Sequence, residues 1–173
     1  MESAPKIPVV VRTFQPEDAA ACKVLYREGL IGGTLADNDT GEDIDDIPAA
    51  YLANEGNHFW VAVNPQGEVV GMVGVQHNEA GVGEIRRLRV RQDHRRRGIG
   101  SKLLETAIQF CHDRGHVKIT LSSYIDREPA LKLFEKFNFR HQRTRQVNGR
   151  ELLYFYLDIY GGDRKRGEDR AAT

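Results

Sequence analysis

The segment that most constrains this fold runs from a strand-like pattern through a glycine-containing loop into a helix-like pattern. Residues 84–90 (EIRRLRV) are rich in branched apolar side chains, and Gly98 and Gly100 follow one residue apart. Beyond them the apolar side chains keep a helical period, at Ile99, Leu103, Leu104, Ala107, Ile108 and Cys111. Another strand-like run occupies residues 117–123, so a helical crossover is predicted between two parallel strands.

The remaining patterns complete a sheet with helices on its faces. Five further runs have the apolar and β-branched character of strands: 9–14, 58–63, 69–77, 139–147 and 151–159. Helix signals follow Pro16, fall near 48–54 and begin again at Asp126. We predict one α/β (α+β) domain over residues 9–160, with a mixed, mostly antiparallel sheet of about seven strands and about four flanking helices. Residues 1–8 and 161–173 are expected to be flexible termini.

The strand at 84–90 carries an irregularity. Its apolar residues fall at Ile85, Leu88 and Val90, so the alternation of a half-buried strand breaks once inside it. A β-bulge, which adds one residue to a strand, produces this break.

Composition excludes several classes of protein. The chain has 173 residues and a formal net charge of zero, which gives no overall attraction to nucleic acid or to a membrane. It contains no apolar run of signal-peptide or membrane-span length, so a cytoplasmic protein is expected. The two cysteines, Cys22 and Cys111, lie in helix-like segments and are expected to be reduced core thiols, and no spacing indicates a metal site.

The loop before the helix has the chemistry of a pyrophosphate cradle. It reads Arg95-Arg96-Arg97-Gly98-Ile99-Gly100-Ser101, with two glycines at a helix N-terminus and three arginines before them. Glycines let the backbone approach a ligand, and the first helical N–H groups and the helix dipole favour an anion. A nucleoside triphosphate loop needs lysine before serine, and the dinucleotide fingerprint needs a third glycine. The alternative is that the glycines cap the helix and the arginines are solvated.

This segment resembles a known family. The stretch RLRVRQDHRRRGIGSKLLETAIQFC is similar to the acetyl-CoA motif of the GNAT superfamily of N-acetyltransferases, Arg/Gln-x-x-Gly-x-Gly/Ala, which Arg95, Gly98 and Gly100 match. The resemblance implies acetyl-CoA as co-substrate, and a sheet that splays beside the bulged strand. It also implies two sets of coenzyme contacts, at Leu88, Arg89 and Val90 for the pantetheine and at Arg96, Arg97, Gly98, Ile99, Gly100 and Ser101 for the pyrophosphate.

The implied reaction is direct transfer of an acetyl group to a primary amine in a ternary complex. A carboxylate near the amine can act as general base. Glu84 stands where many family members carry this base. The alternatives are that Glu84 pairs with Arg86 or Arg87, or only ends the strand.

The general acid is where the sequence departs from the family. Many members have a tyrosine in the pattern Ala-x-x-Leu-Tyr, and here Phe134 takes its place after Ala130 and Leu133. Arg127 replaces an asparagine that contacts the coenzyme in the family. Tyr124 is the substitute acid, with a structural tyrosine or a proton from solvent as the alternatives.

The resemblance implies a small-molecule or peptide amine as the acceptor. An acidic run, in the region that the resemblance places near the acceptor, would suit a cationic amine, and the alternative is a solvated loop. Its members are Asp37, Asp39, Glu42, Asp43, Asp45 and Asp46.

Two other functional classes stay open. One is a non-catalytic acyl-CoA-binding or regulatory module, which the missing tyrosine and asparagine favour. The other is nucleic-acid binding through Arg86, Arg87, Arg89, Arg91, Arg95, Arg96 and Arg97. Zero net charge and the lack of interleaved aromatic residues argue against nucleic acid. A homodimer and a longer acyl chain are further hypotheses, and no membrane partner is expected.

Overall fold

The computed structural model describes residues 5–28 and 39–160. Seven strands form in chain order: β1 (Val10–Thr13), β2 (His58–Val63), β3 (Val69–Glu79), β4 (Val82–Val90), β5 (Lys118–Tyr124), β6 (Arg140–Val147) and β7 (Arg150–Asp158). The α-helices in this part of the chain are α1 (Ala19–Glu28), α2 (Glu42–Asp45), α3 (Ile99–Asp113) and α4 (Glu128–Lys136). Single helical turns occur at Pro16–Asp18, Pro48–Leu52 and Gln92–His94.

The strands form one mixed sheet in the order β1-β2-β3-β4-β5-β7-β6. Antiparallel registers join β1 to β2, β2 to β3, β5 to β7 and β6 to β7. β4 and β5 are parallel over three residue pairs, from Val82–Lys118 to Glu84–Thr120, and β4 itself continues to Val90. The predicted fold class is confirmed, since the crossover through α3 makes these two strands parallel as expected.

The described residues fall into two compact units. The first contains 5–28, 39–76 and 85–109, and the second contains 77–84 and 110–160. The single domain over 9–160 therefore stays a prediction. The acidic residue Asp37, the expected flexible terminus at 161–173 and residues 1–4 of the one expected at 1–8 lie outside the described residues.

An aromatic cluster forms part of the core of the first unit. The ring of Phe59 lies 4.9 Å from the ring of Tyr51 and meets that of Phe14 edge-on at 6.0 Å, measured between centroids. Gly74 on the neighbouring strand leaves the space for them, because a Cβ there would lie 2.6 Å from Tyr51 Cε1 and 2.8 Å from Phe59 Cδ2. The glycine is therefore required by a close approach of two buried rings.

The second unit has its own aromatic cluster and a tight hairpin. The ring of Phe134 on α4 lies 6.1 Å from that of Phe139 and 5.7 Å from that of Phe155. Asn148 and Gly149 have φ angles of 51° and 75°, which is the left-handed backbone that a two-residue hairpin needs. The sequence predicts a hairpin here, because Asn148-Gly149 between two strand-like runs is typical of a two-residue turn, and the structure confirms it.

Two local expectations differ from the structure. A turn over 78–83 is predicted by the sequence, and a turn lies inside this range but is shorter, because β3 extends to Glu79 and β4 begins at Val82, which leaves Ala80 and Gly81 as the connection. Asp126 is predicted to cap a helix, but Arg127 precedes α4 without a side-chain cap and Asp126 instead accepts hydrogen bonds from Arg150. The helix begins one residue later than a cap at Asp126 would require, with Arg127 at the N-cap position.

The cysteines are buried as expected. Cys22 and Cys111 are both unexposed free thiols. Burial raises the pKa of each thiol to about 12, which keeps it protonated and unreactive.

Candidate functional site

The irregularity of β4 lies at Arg87. This residue has a φ of 57°, which is left-handed backbone inside a strand, where L-residues are strained. Such a conformation costs about 1–3 kcal/mol and persists only where the surroundings hold it. The interrupted alternation at Ile85, Leu88 and Val90 thus coincides with an irregular backbone within β4, immediately before the expected pantetheine contacts.

The side chain of Arg87 is held by two carboxylates. Its guanidinium donates four hydrogen bonds of 2.7–2.9 Å, two to Asp39 and two to Asp43. The exposed fractions of the side chains are 8% for Arg87, 28% for Asp39 and 11% for Asp43. A bidentate guanidinium–carboxylate pair has fixed geometry, so it anchors residues 39–43 to β4.

Two tyrosines complete this group, which we call the Arg87 cluster: Tyr26, Asp39, Asp43, Tyr51 and Arg87. The guanidinium lies over the ring of Tyr26, 4.9 Å from its centroid. The hydroxyl of Tyr51 donates to Asp43 Oδ2 at 2.5 Å, and Tyr51 is fully buried. The cluster therefore joins α1, α2, the turn at Pro48–Leu52 and β4.

The cluster keeps its charges. Burial opposes ionisation of Asp43, but hydrogen bonds from Arg87 and Tyr51 outweigh it and lower the pKa of Asp43 to about 2. Burial also opposes ionisation of Asp39, and Arg87 lowers its pKa in the same way. Burial and the charge of Asp43 raise the pKa of the Tyr51 hydroxyl, which stays a donor.

These shifts predict an acid dependence of stability. The carboxyl group of Asp43 ionises more easily in the folded protein than in the unfolded protein, where its pKa is near 3.8. Its contribution to the free energy of unfolding is therefore present above about pH 3.8 and is lost as the pH falls towards about 2. We expect the free energy of unfolding to fall by about 2 kcal/mol from this group between about pH 4 and pH 2. Urea titrations across this range measure it.

The control is the double variant Asp39→Asn/Asp43→Asn, which lacks both carboxylates. Its free energy of unfolding should change less over the same acid range than that of the wild type, because other acidic groups titrate equally in both proteins. Identical slopes in the two proteins would show that the cluster does not contribute.

A second network holds the backbone before the glycine loop. Arg91 donates to Asp93 at 2.7 Å and to Glu68 at 3.1 Å, and His94 Nδ1 lies 2.8 Å from Asp93. Asn64 donates to the carboxylate of Glu68 at 3.2 Å. These contacts fix the helical turn at Gln92–His94 between the end of β4 and the loop.

The loop itself turns into α3 with left-handed backbone at two positions. Arg96 and Gly98 have φ angles of 62° and 82°. Arg95 and Arg96 are exposed, and Nε of Arg95 donates to the carbonyl oxygen of Val90 at 3.2 Å. α3 begins at Ile99, so the expected binding residues Gly98, Ile99, Gly100 and Ser101 surround its N-terminus, where N–H groups lack acceptors within the helix.

Close packing sets the position of this helix N-terminus. Ile99 is 1% exposed and Leu103 is unexposed. A Cβ at Gly71 of β3 would lie 2.8 Å from Leu103 Cδ1 and 3.2 Å from the carbonyl oxygen of Arg89. The missing side chain at Gly71 therefore lets α3 approach the sheet beside the expected pantetheine strand.

The two expected catalytic residues lie in the second unit. The amide of Asn78 donates to Glu84 Oε2, and Glu84 is in register with Thr120 of β5. Tyr124 is four residues further along β5, which is roughly 13 Å at the rise of a strand, and it shares the face of Thr120. The guanidinium of Arg150 lies over the ring of Tyr124, 3.7 Å from its centroid.

Phe134, at the position where many family members carry a tyrosine, is buried in the core. Phe134 is 5% exposed and packs in the aromatic cluster of the second unit, which agrees with its helical spacing. Arg127 immediately precedes α4.

The sequence did not reveal the Arg87 cluster. The acidic run and the strand arginines were each visible, but they suggested an acceptor surface and a phosphate-binding surface. The one usable signal was the break in the alternation of β4, which falls at Arg87. Among residues 5–28 and 39–160 no group of three His, Cys, Asp or Glu side chains could hold a metal ion, and none of the helices there is long and apolar enough to span a bilayer.

Comparison with known proteins decides the family. The profile of the acetyltransferase (GNAT) family matches residues 26–139, which is more than half of the chain and includes β4, the glycine loop and α3. The chain belongs to the GNAT acetyltransferase family. The resemblance read from residues 87–111 is therefore confirmed.

The curated relatives of this GNAT chain are longer than it is. N-acetyltransferase 8 from Homo sapiens is 33% identical over 103 residues, which cover 57% of this chain and 45% of the relative. N-acetylaspartate synthetase from Xenopus tropicalis is 35% identical over 100 residues, covering 57% of this chain and 36% of that protein. The chain thus spans half or less of the length of these two relatives.

Solved structures share the fold. The protein yncA from Salmonella typhimurium, whose structure contains its cofactor acetyl-CoA, superposes with a TM-score of 0.74 at 19% identity. The match covers 88% of this chain and 94% of that one. At this identity the similarity concerns the fold, and the coenzyme belongs to the other protein.

Proposed function

We propose that this GNAT chain is an acetyl-CoA-dependent N-acetyltransferase that moves the acetyl group to a primary amine by direct transfer in a ternary complex. The observation that carries the proposal is the loop Arg95–Ser101, which leads from β4 to the N-terminus of α3 with arginines and glycines together.

The residues around this loop fit the coenzyme. The N-terminus of α3 and the backbone at Arg96, Arg97, Gly98, Ile99, Gly100 and Ser101 would hold the pyrophosphate, with charge from the exposed Arg95 and Arg96. Leu88, Arg89 and Val90 would bind the pantetheine arm through backbone groups. No metal is needed, because a thioester is already activated towards an amine.

The chemistry needs one proton acceptor and one proton donor. Glu84 would take a proton from the acceptor amine while the amine nitrogen attacks the carbonyl carbon of the thioester. The carbon–sulfur bond of the thioester then breaks. The hydrogen bond from Asn78 orients the carboxylate of Glu84. The leaving thiolate would take a proton from Tyr124 or from solvent.

The acceptor proposal rests on charge. In the acidic run, Asp39 and Asp43 bind Arg87, so less negative charge is available to a cationic amine than the sequence suggested. One relative is named for aspartate, an anionic amino acid. A panel that includes polyamines, aminoglycosides, neutral and acidic amino acids, and peptides therefore separates cationic from other acceptors by thiol release from acetyl-CoA.

The central test is coenzyme binding to the variant Gly100→Val. A valine side chain in the first turn of α3 would occupy the space of the phosphates, while valine is a better helix former than glycine. We expect the Kd for acetyl-CoA to rise about thirtyfold, which is about 2 kcal/mol, with thermal stability unchanged or higher. Calorimetric titration measures the Kd.

The matched control is Thr106→Val, which places the same side chain one to two turns further along α3. Its coenzyme affinity should equal that of the wild type. If Gly100→Val binds acetyl-CoA as tightly as the wild type, the loop is not the pyrophosphate site and the proposal loses its main support.

The second candidate is a non-catalytic acyl-CoA-binding module. Phe134 and Arg127, at the positions of a family tyrosine and asparagine, favour it. Tight acetyl-CoA binding without thiol release on any amine would support this candidate and would overturn the transferase.

Nucleic-acid binding is less favoured by the structure. Three of the strand arginines have side-chain partners in the chain: Arg86 donates to Gln76, Arg87 to two aspartates, and Arg91 to Asp93. They are therefore not a free basic stripe. A cytoplasmic location and a homodimer stay predictions, which fractionation and analytical sedimentation would check.

A further inference from the structure

Arg87 combines two features that need a common explanation. Its backbone is left-handed inside β4, and its guanidinium is almost fully buried between two carboxylates. A strained backbone of this kind is retained where neighbouring contacts over-determine it. Here the contacts are the four hydrogen bonds to Asp39 and Asp43 and the stacking on Tyr26.

The strained residue lies directly before the strand segment that would bind pantetheine. Leu88 follows it, and Nη1 of Arg89 donates to the carbonyl oxygen of Leu88 at 3.0 Å. The carbonyl oxygen of Arg89 faces Gly71, because a Cβ added to Gly71 would lie 3.2 Å from this oxygen. The ψ and φ angles at Arg87 therefore decide which way the N–H and carbonyl groups of the next residues point.

We propose that Arg87 is a positioning residue, and that its ion pairs with Asp39 and Asp43 hold the left-handed backbone of β4 at Arg87 in the shape that presents the backbone of residues 88–90 to acetyl-CoA. The inference rests on the proposed binding of acetyl-CoA to this strand. It assigns a structural partner to two members of the acidic run, which the sequence had assigned to the acceptor.

Arg87 links residues 39–52 to β4 within the first unit. Asp43 also accepts from Tyr51, and a Cβ at Gly41, whose φ is 68°, would lie 2.9 Å from the hydroxyl oxygen of Tyr26, so residues 39–52 are linked to Arg87 through Asp39 and Asp43. A ligand that requires this conformation of Arg87 must then also favour the ordered arrangement of residues 39–52. Acetyl-CoA should therefore slow amide exchange in this segment as well as in β4.

The experiment uses acetyl-CoA as the probe and three variants of the whole chain. Arg87→Met removes the ion pairs, Asp39→Asn/Asp43→Asn weakens them without changing volume, and Arg87→Gly removes them while relieving the backbone strain. We expect the Kd for acetyl-CoA to rise about tenfold in each. In steady-state kinetics, the KM for acetyl-CoA should rise in each of the three variants, while the KM for the amine should stay unchanged.

The matched control is Arg12→Met. Arg12 also pairs bidentately with a buried carboxylate, Asp18, at 2.7 Å and 3.0 Å, but on β1. The variant should lose stability without a change in the Kd for acetyl-CoA. This control separates positioning from a general loss of stability.

The outcomes distinguish the two proposals. If the wild type does not bind acetyl-CoA, the proposed function fails and this inference fails with it. If the wild type binds but Asp39→Asn/Asp43→Asn or Arg87→Gly binds equally tightly, the positioning role alone is overturned. A tenfold loss in all three variants, with ligand-dependent exchange protection of residues 39–52 lost in Arg87→Met, supports it.

Discussion

Glu84→Gln is expected to lower kcat for acetyl transfer by at least about a hundredfold, which is the lower end of the range for general bases. The amide has the shape of the carboxylate but cannot accept the proton of the attacking amine. Because Glu84 lies outside the glycine loop, the Kd for acetyl-CoA should stay within about twofold of the wild type. Thiol-release kinetics and calorimetric titration on one preparation measure the two quantities.

The matched control is Glu128→Gln, an exposed glutamate of the same unit that pairs with Lys132 at 3.3 Å. This variant should keep the full kcat, because an exposed ion pair on a helix contributes little. A kcat for Glu84→Gln within about threefold of the wild type would remove Glu84 as the base and would point to water as the proton acceptor.

Phe59→Ala is expected to lower the free energy of unfolding by about 3–5 kcal/mol. Phe59 is unexposed, and its ring packs on those of Tyr51 and Phe14, so truncation leaves a cavity as well as losing buried area. The rings of Tyr51 and Phe14 both lose their contact with the ring of Phe59. For a chain of this size the thermal midpoint should fall by roughly 10 °C or more.

A surface aromatic residue gives the comparison for this variant. Tyr160 is 47% exposed, and Tyr160→Ala should change the free energy of unfolding by less than about 1 kcal/mol. Urea denaturation of both variants measures the difference. A loss below about 1 kcal/mol for Phe59→Ala would show that the aromatic cluster of the first unit is not part of a cooperative core.

Most of the secondary structure could be predicted because it depends on local spacing. The helical period from Ile99 to Cys111 gives α3 as observed at Ile99–Asp113, and Asn148-Gly149 gives the hairpin of β6 and β7. Errors occur where tertiary contacts compete with local signals. Asp126 has the chemistry of a helix cap, but Arg127 occupies the N-cap position and Asp126 accepts from Arg150, 24 positions away.

Part of the candidate site could also be predicted. The glycine loop is contiguous in sequence, so its residues and its place at a helix N-terminus were visible together, and the family match confirms the resemblance. The break in β4 was visible as a pattern. What the pattern could not show was which residue adopts the left-handed backbone and what holds it there.

The sequence alone determined the order along the chain of the seven strands and of α1, α3 and α4, the parallel crossover and the resemblance to the family, since each depends on residues that are neighbours in the chain; α2 was not predicted. Only the tertiary structure showed that two residues of the acidic run, Asp39 and Asp43, form ion pairs with Arg87. Arg87 binds carboxylates 44 and 48 positions away, and no local spacing records such a pair. Burial makes this pairing obligatory, because a guanidinium removed from water needs carboxylates that the fold alone brings to it.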